Sequence, residues 1–181
     1  MTSAEPTDEA LAARARDGDR RAFEVLVNRF KAPLYGFIRR YVGSRDDAYD
    51  VLQDTFVSAW ASLRRYDPAR PFPAWLRTIA LNKCRDFGRR RTVRQVMHEL
   101  FAQEPAAIDR SDSADEERHA RLDQAISALP AKYKEPLLLT ALEGLSHQEA
   151  AELLQITPKG VEMRLYRARR LLAAQLGEEG A

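Results

Sequence analysis

Apolar residues recur every three or four positions along most of the chain, which is the spacing of one face of an α-helix. Glycines, prolines and capping residues divide this pattern into segments. The segments predict helices over about 8–16, 20–42, 45–65, 74–90, 116–129 and 130–142, and a helical hairpin over about 145–172. The predicted fold class is therefore all-α.

Two blocks of helices are separated by a stretch in which the periodicity fades. This stretch contains the polar, acidic segment EPAAIDRSDSAD, which is typical of a flexible linker. We therefore predict two small helical domains, 8–92 and 116–176, joined by a linker over 93–115. Domains of this size bury little apolar surface alone, so we expect them to lean on a partner.

The hairpin near the C-terminus carries two sets of helix-start signals. Ser146 and Glu149 have the spacing of a capping box. Thr157 followed by Pro158 marks the start of the second helix. A short helix, a tight turn and a basic second helix are the elements of a DNA-binding helix-turn-helix.

The second helix of the hairpin has two contrasting faces. Its apolar stripe consists of Val161, Leu165, Ala168 and Leu172. Its opposite face carries Lys159, Glu162, Met163, Tyr166, Arg167 and Arg170. Because basic faces are often only solvated, an ordinary helical hairpin is the alternative to a DNA-binding one.

An acidic face occupies the first half of the helix predicted over about 45–65. It is formed by Asp46, Asp47, Asp50, Gln53 and Asp54. Acids at a helix N-terminus compensate the helix dipole, so a solvated face explains them as well as a binding surface does. They share one helix and have no converging ligand elsewhere, which argues against a metal site.

A proline-rich stretch, YDPARPFP over residues 66–73, predicts a rigid loop before the next helix. A polar face of that helix carries Thr78, Asn82, Arg85 and Arg89. Aromatic rings beside cations suit a single-stranded nucleic acid, since bases stack on rings and phosphates pair with cations. Phe72 and Trp75 also fit the alternative that they are core residues, the commoner role of aromatics at helical spacing.

Charge is arranged in blocks, although the 181-residue chain has a net charge of only +2. Residues 64–94 hold ten basic and two acidic residues, a net of +8. Residues 159–170 hold five basic and one acidic residue, a net of +4. Residues 99–123 hold eight acidic and three basic residues, a net of −5. Two basic blocks on either side of an acidic one indicate two surfaces that face nucleic acid.

Several kinds of chemistry have no signal in the sequence. A phosphate-binding glycine loop is absent, and the three histidines have no metal-ligand spacing to Cys84. The single cysteine excludes an internal disulfide and fits a reducing compartment. No apolar run reaches membrane-spanning length, and the N-terminus has no signal-peptide core. We therefore expect a cytoplasmic binding protein rather than an enzyme, without cofactor, metal or membrane insertion.

The chain resembles the extracytoplasmic-function (ECF) sigma factors of bacterial RNA polymerase over nearly its whole length outside the tails and linker. The resemblance to region 2 of that family lies in DDAYDVLQDTFVSAWASLRRYDPARPFPAWLRTIALNKCRDFGRRR. The resemblance to region 4 lies in LPAKYKEPLLLTALEGLSHQEAAELLQITPKGVEMRLYRARRLL. Two such blocks in this order and at this separation are far more specific than a helix-turn-helix alone.

The resemblance implies three binding surfaces. The surface implied to dock on the clamp helices of the largest polymerase subunit consists of Asp47, Asp50, Gln53 and Asp54. The surface implied to melt and read the −10 element consists of Tyr66, Arg70, Phe72, Trp75, Asn82, Lys83, Arg85, Arg89 and Arg90. The surface implied to read the −35 element consists of Thr157, Pro158, Lys159, Glu162, Met163, Arg164, Tyr166, Arg167 and Arg170.

The resemblance also implies partners. They are core RNA polymerase, including the flap of its second-largest subunit, promoter DNA and an anti-sigma factor. The linker would run along polymerase toward the RNA exit path. A stand-alone helix-turn-helix regulator is the alternative function, and an adaptor that uses the acidic helix alone is a third.

Three residues of the hairpin depart from the family pattern. Gln155 stands where the family often has glycine or another small turn residue. Glu162 and Met163 stand where it often has a basic residue and a serine. Glutamate can accept a hydrogen bond from the cytosine amino group, so the promoter sequence of other members does not carry over.

Overall fold

The computed structural model describes residues 5–101 and 114–177, with side chains over 5–92 and 118–177. All regular structure in these ranges is helical, which confirms the all-α class. The helices are α1 (Asp8–Arg16), α2 (Arg20–Val42), α3 (Arg45–Ser62), α4 (Phe72–Phe101), α5 (Ala114–Ala128), α6 (Ala131–Ala141), α7 (His147–Leu154) and α8 (Pro158–Leu176). We refer to α1–α4 as the N-terminal half and to α5–α8 as the C-terminal half.

Caps set the helix ends where the sequence predicts them. The Asp19 carboxylate accepts a hydrogen bond from the Ala22 amide at 3.1 Å and begins α2. Gly43 ends α2 with φ 84°, a left-handed conformation that favours glycine. Ser146 and Glu149 form both hydrogen bonds of the predicted capping box at the start of α7.

The helix α4 differs from its prediction at both ends. α4 begins at Phe72 and continues to Phe101, so it is longer at both ends than the segment predicted over about 74–90. No proline interrupts the chain after Arg90, and good helix formers such as Gln95, Met97 and Leu100 follow. Residues 102–113 of the predicted linker lie outside the described residues.

Pro136 lies inside α6 and is fully buried, although the sequence leaves open whether it starts or kinks a helix. The helix has only 11 residues, with Pro130 at its N-cap position. Burial of Pro136 among the apolar residues of the C-terminal half offsets the hydrogen bond that proline cannot donate.

The apolar core is continuous through both halves of the molecule. Leu26, Ile38 and Leu76 belong to the same cluster of buried residues as Leu139 and Val161. α2 packs against α5 and α6 as well as against α1, α3 and α4. Each half therefore buries apolar surface against the other.

Candidate polymerase and promoter interface

The acidic face of α3 lies beside basic residues of α4. Asp50, Gln53 and Asp54 are exposed, and Asp47 is half-buried next to the Ser44 cap. These four side chains line one side of a cleft of about 620 Å³, and its other side includes Lys83 and Arg90. The residues with an implied polymerase role and two residues with an implied −10 role are thus brought together by the packing of α3 on α4.

The loop between α3 and α4 is held by its own hydrogen bonds. The Tyr66 hydroxyl donates to the Arg70 carbonyl at 2.6 Å. The Ala69 amide donates to the Asp67 carboxylate at 3.0 Å, and the Phe72 amide donates to Glu9 of α1 at 3.2 Å. The loop leaves the Arg70 side chain 79 % exposed. The prolines and these bonds together give the loop one conformation.

The aromatic residues of this region are mainly core. Tyr66 is 3 % exposed and Phe72 is 1 % exposed, with ring centroids 5.6 Å apart in an edge-to-face pair. Trp75 is half-buried against both rings, at 5.1 Å from Tyr66 and 5.5 Å from Phe72. Tyr66 and Phe72 therefore offer no ring face to a base in this structure, and the core alternative describes Phe72.

The polar face of α4 is divided between solvent and the C-terminal half. Asn82, Arg89 and Arg90 are exposed, and Arg89 is paired with Asp86 on the same helix. The Arg85 guanidinium instead forms two hydrogen bonds with the Glu135 carboxylate, at 2.8 and 2.6 Å. Arg85 is thus occupied by a residue of α6 and is not free to meet a phosphate in this arrangement.

α8 presents the predicted basic face to solvent. Thr157 caps the helix through its hydroxyl, which accepts from the Gly160 amide at 3.0 Å. The exposed side chains are Lys159, Glu162, Met163, Tyr166, Arg167 and Arg170, whereas Arg164 is half-buried. Val161, Leu165 and Ala168 of the predicted stripe are buried and Leu172 is half-buried, so the opposite face points outward.

Three side chains of this face already have partners. Both carboxylate oxygens of Glu162 accept from the Lys159 ammonium at 2.9 Å. This hydrogen-bonded ammonium lowers the pKa of the Glu162 carboxyl. Arg167 hydrogen bonds to Tyr133 of α6 and lowers the pKa of its phenol. Glu162 is therefore ionised and aligned by its neighbour one turn away.

Neither a metal site nor a membrane span is found where the structure can be described. Over residues 5–101 and 114–177, no group of three His, Cys, Asp or Glu side chains is placed to hold a metal ion. No helix in the described part of the chain has the length and apolar character required to cross a bilayer. Cys84 is fully buried, and burial raises the pKa of its thiol.

Comparison with known proteins identifies the family. The family description Sigma-70 region 2 matches residues 26–94, and Sigma-70, region 4 matches residues 119–172. The chain is 40 % identical to RNA polymerase sigma factor CnrH of Cupriavidus metallidurans, over 95 % of each chain. It is 30 % identical to the ECF RNA polymerase sigma-E factor of Salmonella typhimurium, over 90 % of this chain and 91 % of that one. The chain belongs to the ECF sigma factors.

Solved structures of other ECF sigma factors share the fold of this one. The structure of CnrH in complex with the cytosolic domain of CnrY matches with a TM-score of 0.73 and 38 % identity, covering 96 % of this chain and 99 % of that one. The structure of RpoE in complex with the anti-sigma factor NepR from Bartonella quintana matches with a TM-score of 0.70 and 25 % identity, covering 87 % and 98 %.

Four residues connect the two halves of this ECF sigma factor, and the sequence analysis does not identify them as functional. They are Tyr41 and Lys134, which are buried, and Glu135 and Glu143, which pair with arginines of α4. The only signal in the sequence that could have revealed the two ion pairs is a shared spacing. Arg77 and Arg85 are eight residues apart on α4, and Glu135 in α6 and Glu143 just after it are also eight residues apart. Eight residues bring side chains close to the same helical face.

Proposed function

We propose that this ECF sigma factor binds core RNA polymerase and directs promoter-specific initiation of transcription. In this proposal residues 8–92 dock on polymerase and capture −10 DNA, and residues 116–176 read the −35 duplex. The observation that carries it is the presence of three exposed surfaces on one ECF chain: the acidic face of α3, the basic loop and face of α4, and the basic face of α8. The protein would act in the cytoplasm as a binding factor and would make or break no covalent bond itself.

At the −10 element we assign the direct contacts to groups that reach solvent: Arg70, Asn82 and Arg90 are exposed, and Lys83 and Trp75 are half-buried. Arg70, Lys83 and Arg90 are the proposed phosphate contacts, and Asn82 is the proposed polar reader of an extruded base. Extruding a base costs a few kcal/mol, and stacking it on a ring returns about 1–3 kcal/mol. Trp75 supplies the ring surface, since Tyr66 and Phe72 are buried beneath it and fix its position.

At the −35 element we assign contacts along one face of α8. Arg167 and Arg170 are the proposed phosphate contacts, because both lie on its exposed face. Arg167 would exchange its hydrogen bond with Tyr133 for one to a phosphate. Glu162 is the proposed base reader, accepting from a cytosine amino group in the major groove once Lys159 turns to a phosphate. Polymerase would present the −10 and −35 surfaces together, so engagement of one raises the effective concentration of the other.

We further propose that an anti-sigma factor is a partner of this chain. Two structural neighbours support this: CnrH in complex with the cytosolic domain of CnrY, and RpoE in complex with the anti-sigma factor NepR. Both match most of this chain at TM-scores of 0.73 and 0.70. A complex that covers both DNA surfaces is the expected result of co-purification with the cognate partner.

Run-off transcription with added core polymerase tests the function. The wild-type chain should start transcripts at specific promoters, and Asp50→Asn combined with Gln53→Ala should reduce both polymerase binding and transcription by more than about tenfold, as expected when buried interface anchors are lost. Arg167→Ala is the matched variant on the other surface. It should leave polymerase binding intact while weakening −35 binding and lowering its salt slope by about 1.

Two results would contradict the proposal. One is the absence of any transcript over a pool of genomic promoters. The other is undiminished transcription in the Asp50 and Gln53 variant together with tight binding of duplex DNA by the chain alone. The second result would favour a stand-alone helix-turn-helix regulator, which needs no acidic docking face.

A further inference from the structure

Two arginines of α4 are bonded to two glutamates of the C-terminal half. Arg77 pairs with Glu143 at 2.7 Å, and Arg85 pairs with Glu135 through two hydrogen bonds at 2.8 and 2.6 Å. The pairing is antiparallel, since the earlier arginine meets the later glutamate. We call these four residues the charged seam. The Glu135 and Glu143 side chains are only 6 % and 8 % exposed, so water does not replace these bonds.

Buried polar contacts reinforce the seam at one end. The Tyr41 hydroxyl of α2 donates to Glu135 at 3.1 Å. The Lys134 ammonium donates to the Tyr41 carbonyl at 2.9 Å, and to the Ser127 carbonyl as well. It also lies 4.7 Å from the centroid of the Tyr41 ring. The Lys134–Ser127 bond lies within the C-terminal half. The contacts of Tyr41 with Glu135 and Lys134 exist only while the two halves are together, which makes the contact specific in its geometry.

The seam occupies the surface assigned to −10 DNA. Arg85, which the family resemblance places on that surface, is neutralised by Glu135. Arg70, Trp75 and Thr78 line a cleft of about 870 Å³ whose opposite wall includes Glu149 and Glu152 of α7. A strand entering this cleft would bring phosphates toward carboxylates, which is electrostatically unfavourable.

We call the arrangement in which the two halves are packed together closed. In the closed arrangement the two DNA surfaces are too near each other to reach both promoter elements. The −10 and −35 elements lie about 25 base pairs apart by their names, which is about 85 Å of duplex. Packed helices lie about 8–10 Å apart, and α2 packs directly on α5 and α6 here. One chain in this arrangement therefore holds one element at most.

We infer that the charged seam is an autoinhibitory contact that keeps the free sigma factor closed, and that the two halves separate when it engages polymerase and promoter. The inference rests on the proposed function of the two DNA surfaces. The docking face of α3 is exposed in the closed chain, but polymerase would hold the −10 and −35 surfaces apart, so only open chains engage it fully. Closure then lowers the apparent affinity for polymerase by the fraction of open chains, and weakening the seam should raise that affinity. The carboxylates of Glu135 and Glu143 compete with DNA phosphates for the same arginine-bearing face.

The test compares seam variants that leave every proposed DNA and polymerase contact in place. Glu135→Gln with Glu143→Gln removes both carboxylates. Arg77→Glu reverses one charge, and adding Glu143→Arg to it restores the pair with exchanged signs. Glu24→Gln with Asp17→Asn, two exposed positions of the N-terminal half, is the control with the same change in net charge as the double glutamine variant. Each variant is measured by small-angle scattering, by titration of core polymerase and by run-off transcription.

We expect the double glutamine variant and Arg77→Glu to increase the radius of gyration and to bind polymerase at least about fivefold more tightly. The exchanged pair should return both values toward wild type, and the control should not move them. Circular dichroism checks that each variant folds. If the double glutamine variant unfolds, the Arg77 series carries the test, because Arg77 is 27 % exposed and tolerates exchange more readily than the buried end of the seam.

An unchanged radius in both the double glutamine variant and Arg77→Glu would overturn the inference, because the seam would not hold the halves together. A larger radius with unchanged polymerase affinity would overturn it too, since the closed form would then not be inhibitory. A wild-type chain that neither binds polymerase nor starts transcription would refute the proposed function instead. The scattering data would still report whether the seam closes the free chain.

Discussion

Gln155 places the turn between α7 and α8 in the left-handed region, with φ 55° and ψ 45°. A residue with a β-carbon is destabilised there by roughly 1–2 kcal/mol. The turn is nevertheless closed, because the Gln155 amide donates to the Glu152 carbonyl at 3.3 Å and the Ile156 amide donates to the Ala151 carbonyl at 3.0 Å. The departure of this chain from the small residue usual in its family is therefore a local strain in an intact hairpin.

Gln155→Gly should raise the free energy of unfolding by about 0.5–1 kcal/mol, because glycine adopts the left-handed region without a β-carbon clash. Chemical denaturation measures it. Glu152→Gly, inside α7 at an exposed helical position, is the matched control and should lower stability by about 1 kcal/mol. Equal losses in both variants would show that the turn gains nothing from glycine.

Phe72→Ala should lower the free energy of unfolding by about 3–5 kcal/mol in the absence of any DNA, because the ring is fully buried beside Tyr66 and Phe30. Val57→Ala, at a position 61 % exposed, should change it by less than about 0.5 kcal/mol. Thermal or denaturant unfolding checks both. A stable Phe72→Ala variant that fails only in promoter melting would assign the ring to DNA instead of the core.

α4 contacts different neighbours along its length and combines several tasks in one element. Its first turn buries Phe72 under the loop, and its middle carries Arg77 and Arg85 against the C-terminal half. Farther on, Arg91 donates to the Val42 carbonyl of α2 at 3.0 Å. A rigid helix that is fixed at several points transmits a change at one of them to the loop at its start.

Tyr66→Phe should lower the free energy of unfolding by about 1 kcal/mol, because it deletes the hydrogen bond to the Arg70 carbonyl and keeps the packed ring. We expect run-off transcription to fall, since the loop that positions Arg70 and Trp75 loses the hydrogen bond that fixes its conformation. Binding of a −35 duplex by α8 is the internal control and should stay unchanged. A parallel loss of both activities would mean that the substitution perturbs the whole fold.

The whole molecule buries charge where its two halves meet. Lys134 is 6 % exposed and Glu135 is 5 % exposed, and both belong to α6. Burial lowers the pKa of Lys134 to about 8, although three hydrogen-bond and ring partners hold its ammonium. The cost of this burial is linked to pH, because the unfolded chain exposes the amine to water.

Stability should therefore rise with pH above about 8. In the unfolded chain the Lys134 amine keeps its proton to about pH 10, so between these values the unfolded state binds more protons than the folded state. We expect the free energy of unfolding to increase by about 2 kcal/mol from pH 7 to pH 9.5 through this group. Lys134→Met should abolish the increase, whereas Lys132→Met, at an exposed neighbouring position, should keep it. A wild-type profile that is flat over this range would contradict the assignment.

Local signals in the sequence predict much of the fold. The Ser146–Glu149 capping box, the Asp19 and Thr157 caps and the Gly43 stop act within a few residues, so their outcome does not depend on distant packing. The same holds for the exposed face of α8, which follows from helical spacing alone. The end of α4 is harder to predict, because helix formers continue past Arg90 without a stop signal.

The sequence by itself determined the helical class, the capped helix starts at Asp19, Ser146 and Thr157, the basic and acidic faces and the family. Only the tertiary structure decided that Tyr66 and Phe72 are core and that Arg85 meets Glu135, fifty residues away along the chain. Burial of the two rings and pairing of the two charged side chains depend on which helices pack together. The spacing of residues within one helix does not show which other helix packs against it. Packing of the two halves turned a candidate DNA contact into part of the charged seam, because the buried Glu135 carboxylate has lost its water and the Arg85 guanidinium replaces the lost hydrogen bonds.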